Sequence, residues 1–242
     1  VNRRFERRVI RAGGAPVLVI TSPLQITGIA AWYRMDLLVT QAGTVSAWGD
    51  SSGTGDANKN LAQATGGKQP TYTATDAAYN NKPTASYASA SLQELDSAAW
   101  AAALTTPYTI FVVGNYDGVG TSQGLVGDST GLVQFVFGNG ATGINAFSGS
   151  FLNYAASDSA AKKVVAAVFG ASGSLYDTSK TVKASGSTGT YSLTRAFIGV
   201  DAGAHYLNGK IAEVIIYSRA LSGSEINAVL NYCALRYAIT LT

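Results

Sequence analysis

The sequence predicts an all-β protein, a jelly-roll β-sandwich closed by one short C-terminal helix. Three observations point there. Short runs rich in Val, Ile, Tyr and Phe recur between turn signals, helical periodicity is missing from nearly all of them, and they do not alternate with helices. The composition agrees: 47% of the 242 residues are hydrophobic, only 13% are charged, and 27 are glycine, a profile of strands joined by small-residue turns. That length suits one large all-β unit. No fixed-period repeat, long linker or low-complexity tract divides the chain, so residues 1–23 are expected to form a basic arm with an anchoring strand, and residues 24–242 one domain.

In order, the chain opens on "VNRRFERRVIR", where Arg3, Arg4, Arg7, Arg8 and Arg11 face one acid, Glu6. The arm is therefore +4, and the other 231 residues carry about −1 of the net +3. Strand character comes next in "PVLVI" (16–20), "IAAWYR" (29–34), "TVSAW" (44–48), "YTIFVVGNY" (108–116) and "LVQFVF" (132–137). It returns in "KVVAAVFG" (163–170), "SLYD" (174–177), "AFIGV" (196–200) and "KIAEVIIYS" (210–218). The exception is "SGSEINAVLNYCALRY". Ser222 and Glu225 stand in capping-box spacing. Ile226, Val229, Leu230, Cys233 and Tyr237 step by three and four, the face of a helix packed on the sandwich. Cys233 falls on that stripe as a small buried hydrophobe.

Several classes are disfavoured. A single cysteine gives no internal disulfide. The apolar run after the basic stretch is too short for a signal peptide, nothing approaches a membrane-spanning helix, and no Asn-x-Ser/Thr acceptor occurs.

The catalytic motifs are weak. "GDSSG" (49–53) fits Gly-x-Ser-x-Gly around Ser51, but a hydrolase elbow needs a helix after the serine and a partner histidine. The residues after Ser51 are rich in Gly and Asn, the pattern recurs around Ser129, and the only histidine is His205. The stretch reads as a polar turn. "GNGATG" (138–143) fits a dinucleotide fingerprint, but "INAFSGSF" continues as a strand, so a hairpin is expected. No cofactor or metal motif survives: one His and one Cys do not build a zinc site. "DANKN" lacks the glycine and glutamate of an EF-hand, leaving an Asx-rich turn at Asp56, or a rim calcium site with carbonyl ligands.

A carboxylate pair is the serious enzymatic option, because glycanases of sandwich fold use two acids. Of four glutamates, Glu94 stands two residues from Asp96, Glu225 is absorbed by the helix cap, and Glu213 stands alone in "IAEVII". Non-catalytic surface acids are the favoured reading. Trp32 and Trp48 belong to strand-like runs and are expected in the core, whereas Tyr116, Tyr154 and Tyr206 lie near turns and are candidate rim contacts for a sugar. The residues single out no glycan site.

The tail "HYLNGKIAEVIIYSRALSGSEINAVLNYCALRYAI" resembles the closing segment of concanavalin A-like, laminin G-like jelly-roll domains. "GIAAWYRMDLL", "GTVSAWGDSSGTGDANKNLAQATGGKQPTY" and "NKPTASY" resemble that family's opening strands, so the resemblance covers about residues 28–239. "SLYDTSKTVK" departs from the family's Tyr-x-Asn-Gly hairpin, and "RYAIT" lacks its glycine. The resemblance implies the same sandwich, with Arg219 and Leu221 tying the last strand to the helix. It also implies binding of glycans or proteins, in phage and bacterial surface assemblies, with catalysis only in some members.

Three functions are therefore expected. The first is a non-catalytic component of a larger assembly, a phage virion surface protein located in the virion or on a cell surface. Its arginine arm would dock on other virion or surface-assembly proteins, less readily on nucleic acid, and its sandwich would meet host glycans. The second is a free carbohydrate-binding, lectin-like module. The third is a polysaccharide-cleaving glycosidase or lyase.

Overall fold

A computed structural model describes residues 8–10, 17–117, 122–128, 130–138, 143–155, 161–201 and 205–242. The strands in the first half of the chain are β1 (Arg8–Ile10), β2 (Val17–Val19), β3 (Ile29–Arg34), β4 (Val39–Gln41), β5 (Val45–Trp48), β6 (Leu61–Ala62), β7 (Thr71–Asp76), β8 (Lys82–Tyr87), β9 (Leu95–Ser97) and β10 (Tyr108–Tyr116). Then come β11 (Gln123–Gly127), β12 (Gln134–Phe137), β13 (Gly143–Phe147), β14 (Phe151–Ala155), β15 (Lys163–Phe169), β16 (Gly173–Asp177) and β17 (Ala184–Gly186). The last are β18 (Phe197–Ile198), β19 (Val200–Asp201), β20 (His205–Tyr206) and β21 (Gly209–Tyr217), before the single α-helix among the described residues, α1 (Gly223–Tyr237).

These strands build two antiparallel sheets. The first runs β17-β16-β15-β10-β21-β8-β7, with β3 also paired to β21, and the second runs β14-β13-β12-β11-β18-β9-β6-β5-β4. Two further hairpins, β1-β2 and β19-β20, stand apart. The expected all-β sandwich with one C-terminal helix is therefore what the chain forms.

The long apolar runs sort into three layers because the first sheet is buried on both faces. Along β10, Ile110 and Val112 enter the core between the sheets, whereas Phe111 and Val113 face the helix side. β15 alternates likewise, with Val165, Ala167 and Phe169 inward and Val164, Ala166 and Val168 outward. A strand covered on both sides reads as continuous hydrophobe rather than alternation. In β21, Ile211, Val214 and Ile216 fill the inter-sheet core, as their spacing predicts. The register against β10 slips by one residue, pairing Val113 with Glu213 and Gly114 with Ile211. This bulge turns both Ala212 and Glu213 toward the helix.

α1 starts as the sequence specifies. The Ser222 hydroxyl accepts from the Glu225 amide, the Glu225 carboxylate accepts from the Ser222 amide at 2.9 Å, and Arg219 grips the same carboxylate at 2.6 and 2.9 Å. Arg219 also donates to the Thr27 carbonyl at 3.0 Å, tying β21's exit to the chain entering β3. Ile226, Val229, Leu230, Cys233 and Tyr237 are buried against the first sheet. Burial pushes the Cys233 thiol well above its ordinary range, consistent with an inert hydrophobe.

Glu213 lies fully buried beneath this helix. Its carboxyl accepts from Trp32 Nε1 at 2.5 Å, Tyr232 OH at 3.1 Å and Tyr237 OH at 2.9 Å. Desolvation drives it above the usual carboxyl range, opposed by the bonds from Trp32 and Tyr237 and by Arg236 and Arg34. The lone acid of "IAEVII" is a buried clamp between strand and helix.

"AFIGV" is not one strand. It divides at Gly199 (φ +86°), where a side chain would collide with the Tyr87 ring. β18 stays in the second sheet, while β19 crosses over β11. There a Cβ on Gly124 would strike the backbone of Val200 and Asp201, so only glycine permits the approach.

Candidate functional site

The first sheet is covered by α1 on one side and by the second sheet on the other; the outward face of the second sheet is crossed by β19 at Gly124 and reaches solvent at the β13–β14 hairpin. Its strands are short and alternate. In β12 and β13, Phe135, Phe137, Ile144 and Ala146 point into the core. Gln134 and Phe147 take the other parity and are half-buried. Residues paired across antiparallel strands project from the same face. The registers link Asp96 to Phe197, Phe197 to Gly127, Gly127 to Gln134, Gln134 to Phe147, and Phe147 to Phe151. One row thus crosses six strands, about 24 Å at the usual strand spacing. A second row joins Gly124, Val136, Asn145 and Asn153.

The β13–β14 hairpin supplies the aromatic end. Phe147 and Phe151 flank Ser148–Gly149–Ser150, their ring centroids 4.5 Å apart, and Phe151 is 53% exposed. The amides of Gln134, Asn145 and Asn153 lie beside them. Asn145 is buried, and its Nδ2 has no hydrogen-bond partner among the described residues. An unmet buried donor is destabilising by about 1–3 kcal/mol.

The other end is acidic. Partial burial raises the carboxyls of both Glu94 and Asp96; Lys68 opposes the rise at Glu94, and Arg195 opposes it at Asp96. Lys68 Nζ lies 3.7 Å from Glu94 Oε1. Burial, and then the charge of Glu94, likewise raise the Tyr206 phenol. Rings for apolar sugar faces and amides and carboxyls for hydroxyls make a surface suited to a polyhydroxylated chain.

The other sequence candidates fall elsewhere. Arg3, Arg4, Arg7 and Arg11 lie outside the described residues; Arg8 opens β1, its Cα opposite Val19. Ser51 sits in a polar turn organised by Asp50, whose Oδ1 accepts from the amides of Trp32 (2.8 Å) and Ser52 (2.9 Å). His205 Nδ1 meets Asp201 at 2.8 and 3.0 Å, not a serine. Ser129 lies outside the described residues. Residues 138–143 connect the antiparallel strands β12 and β13, as a hairpin requires, with 139–142 outside the described residues. Asp56 caps a 3-10 turn through the Asn58 amide (3.1 Å) and also accepts from the Ala101 amide (3.0 Å), an Asx turn rather than an EF-hand. Among the described residues no three His, Cys, Asp or Glu side chains gather as metal ligands.

The expected tryptophans are in the core: Trp48 is between the sheets and Trp32 faces the helix. Tyr116 corrects the turn-based expectation. It is buried in the core and stacks on Phe137 at 4.7 Å, because β10 continues through it. Tyr154 and Tyr206 are half-buried. Phe147, Phe151, Gln134 and Asn145 escaped sequence reasoning. The available signal was "FSGSF", two phenylalanines flanking a three-residue turn, which a hairpin brings opposite each other.

No family model matches the sequence, and no curated protein matches it. Solved structures do resemble the fold. Domain 4 of AbnA, an extracellular arabinanase from Geobacillus stearothermophilus determined with arabinotriose, superposes with a TM-score of 0.58 at 16% identity, covering 84% of this chain and 98% of that one. A sialidase of Trypanosoma rangeli, determined with sialic acid, gives a TM-score of 0.52 at 12% identity over 95% of this chain; the match spans 35% of the sialidase. At these identities the likeness is one of fold.

Proposed function

We propose that this chain is a glycan-binding module without catalytic activity of its own, holding saccharide across the outward face of the second sheet. The observation that carries the proposal is the solvent-facing Phe147–Phe151 pair set beside the Gln134 and Asn153 amides. The likeness to a domain determined with arabinotriose supports the choice of ligand class. Of the three expected functions, this support falls on the lectin-like one. The role in a virion or surface assembly rests on the sequence alone, on the family resemblance and the charge of the arm.

The test is titration of the purified chain with arabino-oligosaccharides first and then a glycan array. Phe151→Ala is expected to weaken binding about tenfold, ~1.4 kcal/mol, with an unchanged melting temperature because the ring is exposed. Equal affinity in the variant would remove the site from this face. Incubation with each bound polysaccharide tests the enzymatic alternative. Release of reducing ends or unsaturated sugars, stopped by Glu94→Ala with Asp96→Ala, would make the face an active site.

A further inference from the structure

A second site lies on the opposite side of the molecule, where the C-terminal half of α1 meets β3 and β8. A pocket of about 400 Å³ opens there, lined in part by Thr21, Arg34, Asn80, Lys82, Tyr232 and Arg236. That is within the ordinary size range of small-ligand pockets. Three cations converge on it. Two grip one carboxylate: Arg34 Nε reaches Asp36 Oδ1 at 2.6 Å, and Arg236 Nη2 reaches Asp36 Oδ2 at 2.6 Å. Both guanidinium side chains are largely buried, at 18% and 16% exposure.

The third, Lys82, makes no side-chain hydrogen bond or ion pair among the described residues. The acid opposite it in register, Asp76, is engaged by Lys210 at 2.8 Å and by the Thr84 hydroxyl at 2.9 Å. The other nearby acid, Glu213, sits 3.9 Å from Arg236 Nε but already receives three side-chain bonds. Asp36 is thus shared by the two guanidiniums and Lys82 has no carboxylate of its own, in a partly desolvated pocket where like charges repel more strongly than in water.

We infer that this pocket binds a small oxyanion, a carboxylate or phosphate on a polar body of about sugar size, held between Lys82 and the paired guanidiniums. Arginine forks suit such groups by their planar, multiple donors, and lysine adds a point charge. This site is separate from the sheet face and does not depend on saccharide binding there.

Calorimetric titration of the full chain at low ionic strength, with inorganic phosphate, D-glucuronate and D-glucose, tests it. At least one of the two anions is expected to bind saturably while glucose stays silent. Lys82→Glu should weaken that binding more than tenfold and Lys82→Arg should retain it, both variants keeping the wild-type melting curve. Tighter glucuronate would identify an acidic sugar, and tighter phosphate a bare oxyanion. Failure of both anions to bind, equal binding of glucose, or full affinity in Lys82→Glu would overturn the inference.

Discussion

Glu213 stands alone among apolar residues in the sequence, and its spacing does not say what it does. The structure gives it three donors from Trp32, Tyr232 and Tyr237, drawn from β3 and α1. Those partners lie far from it in sequence, so the clamp could not be read from any local pattern. Truncation would strand an indole N–H and two hydroxyls in a buried layer. Glu213→Ala is therefore expected to destabilise the fold by about 3–5 kcal/mol, the range for breaking a buried polar network. Chemical denaturation would measure it, and a loss below ~1 kcal/mol would mean that water replaces the carboxyl. The same limit explains the proposed saccharide face, where Asp96, Phe197, Gln134 and Phe151 become neighbours only through strand pairing.

Elements with a local code were legible. The helix start was written in Ser222 and Glu225, its buried stripe in the three-and-four spacing, and the central strands in runs such as "YTIFVVGNY". Strands such as β7 and β8, "TYTATD" and "KPTASY", carry no apolar run, and they are held by pairing across the sheet rather than by propensity. Ser222→Ala should destabilise by about 1 kcal/mol, the usual effect of losing an N-cap. Arg219's hydrogen bonds hold the Glu225 carboxyl at about 2, below its ordinary 4.5. A depressed carboxyl contributes its stability fully above pH 4.5 and loses it as pH falls toward 2. Acid titration of the unfolding midpoint should therefore show a drop across that window in the wild type that is smaller in Glu225→Gln. Identical profiles would show that the cap is not coupled to global stability.

Over the whole molecule, the order is helix, buried sheet, half-open sheet. The fold class was legible because strand and turn signals repeat along the entire chain. The layering was harder to read, since a run buried on both faces does not say what covers each one. In the proposed mode, with saccharide on the second sheet, the arm is dispensable for that contact. Removal of residues 1–11 should leave saccharide affinity within about twofold by titration, while abolishing salt-sensitive retention on an acidic matrix. Loss of saccharide binding on truncation would place the site at the arm instead.

β21 joins β10 on one flank to β3 and β8 on the other, and it is the last strand in chain order. During synthesis, the hydrogen-bonding edge of β10 therefore waits unmatched until residues 209–217 leave the ribosome. Such an edge, flanked by hydrophobes, invites mispairing between nascent chains. The protein completes its architecture late, and its vulnerable interval is the time spent waiting for its final strand.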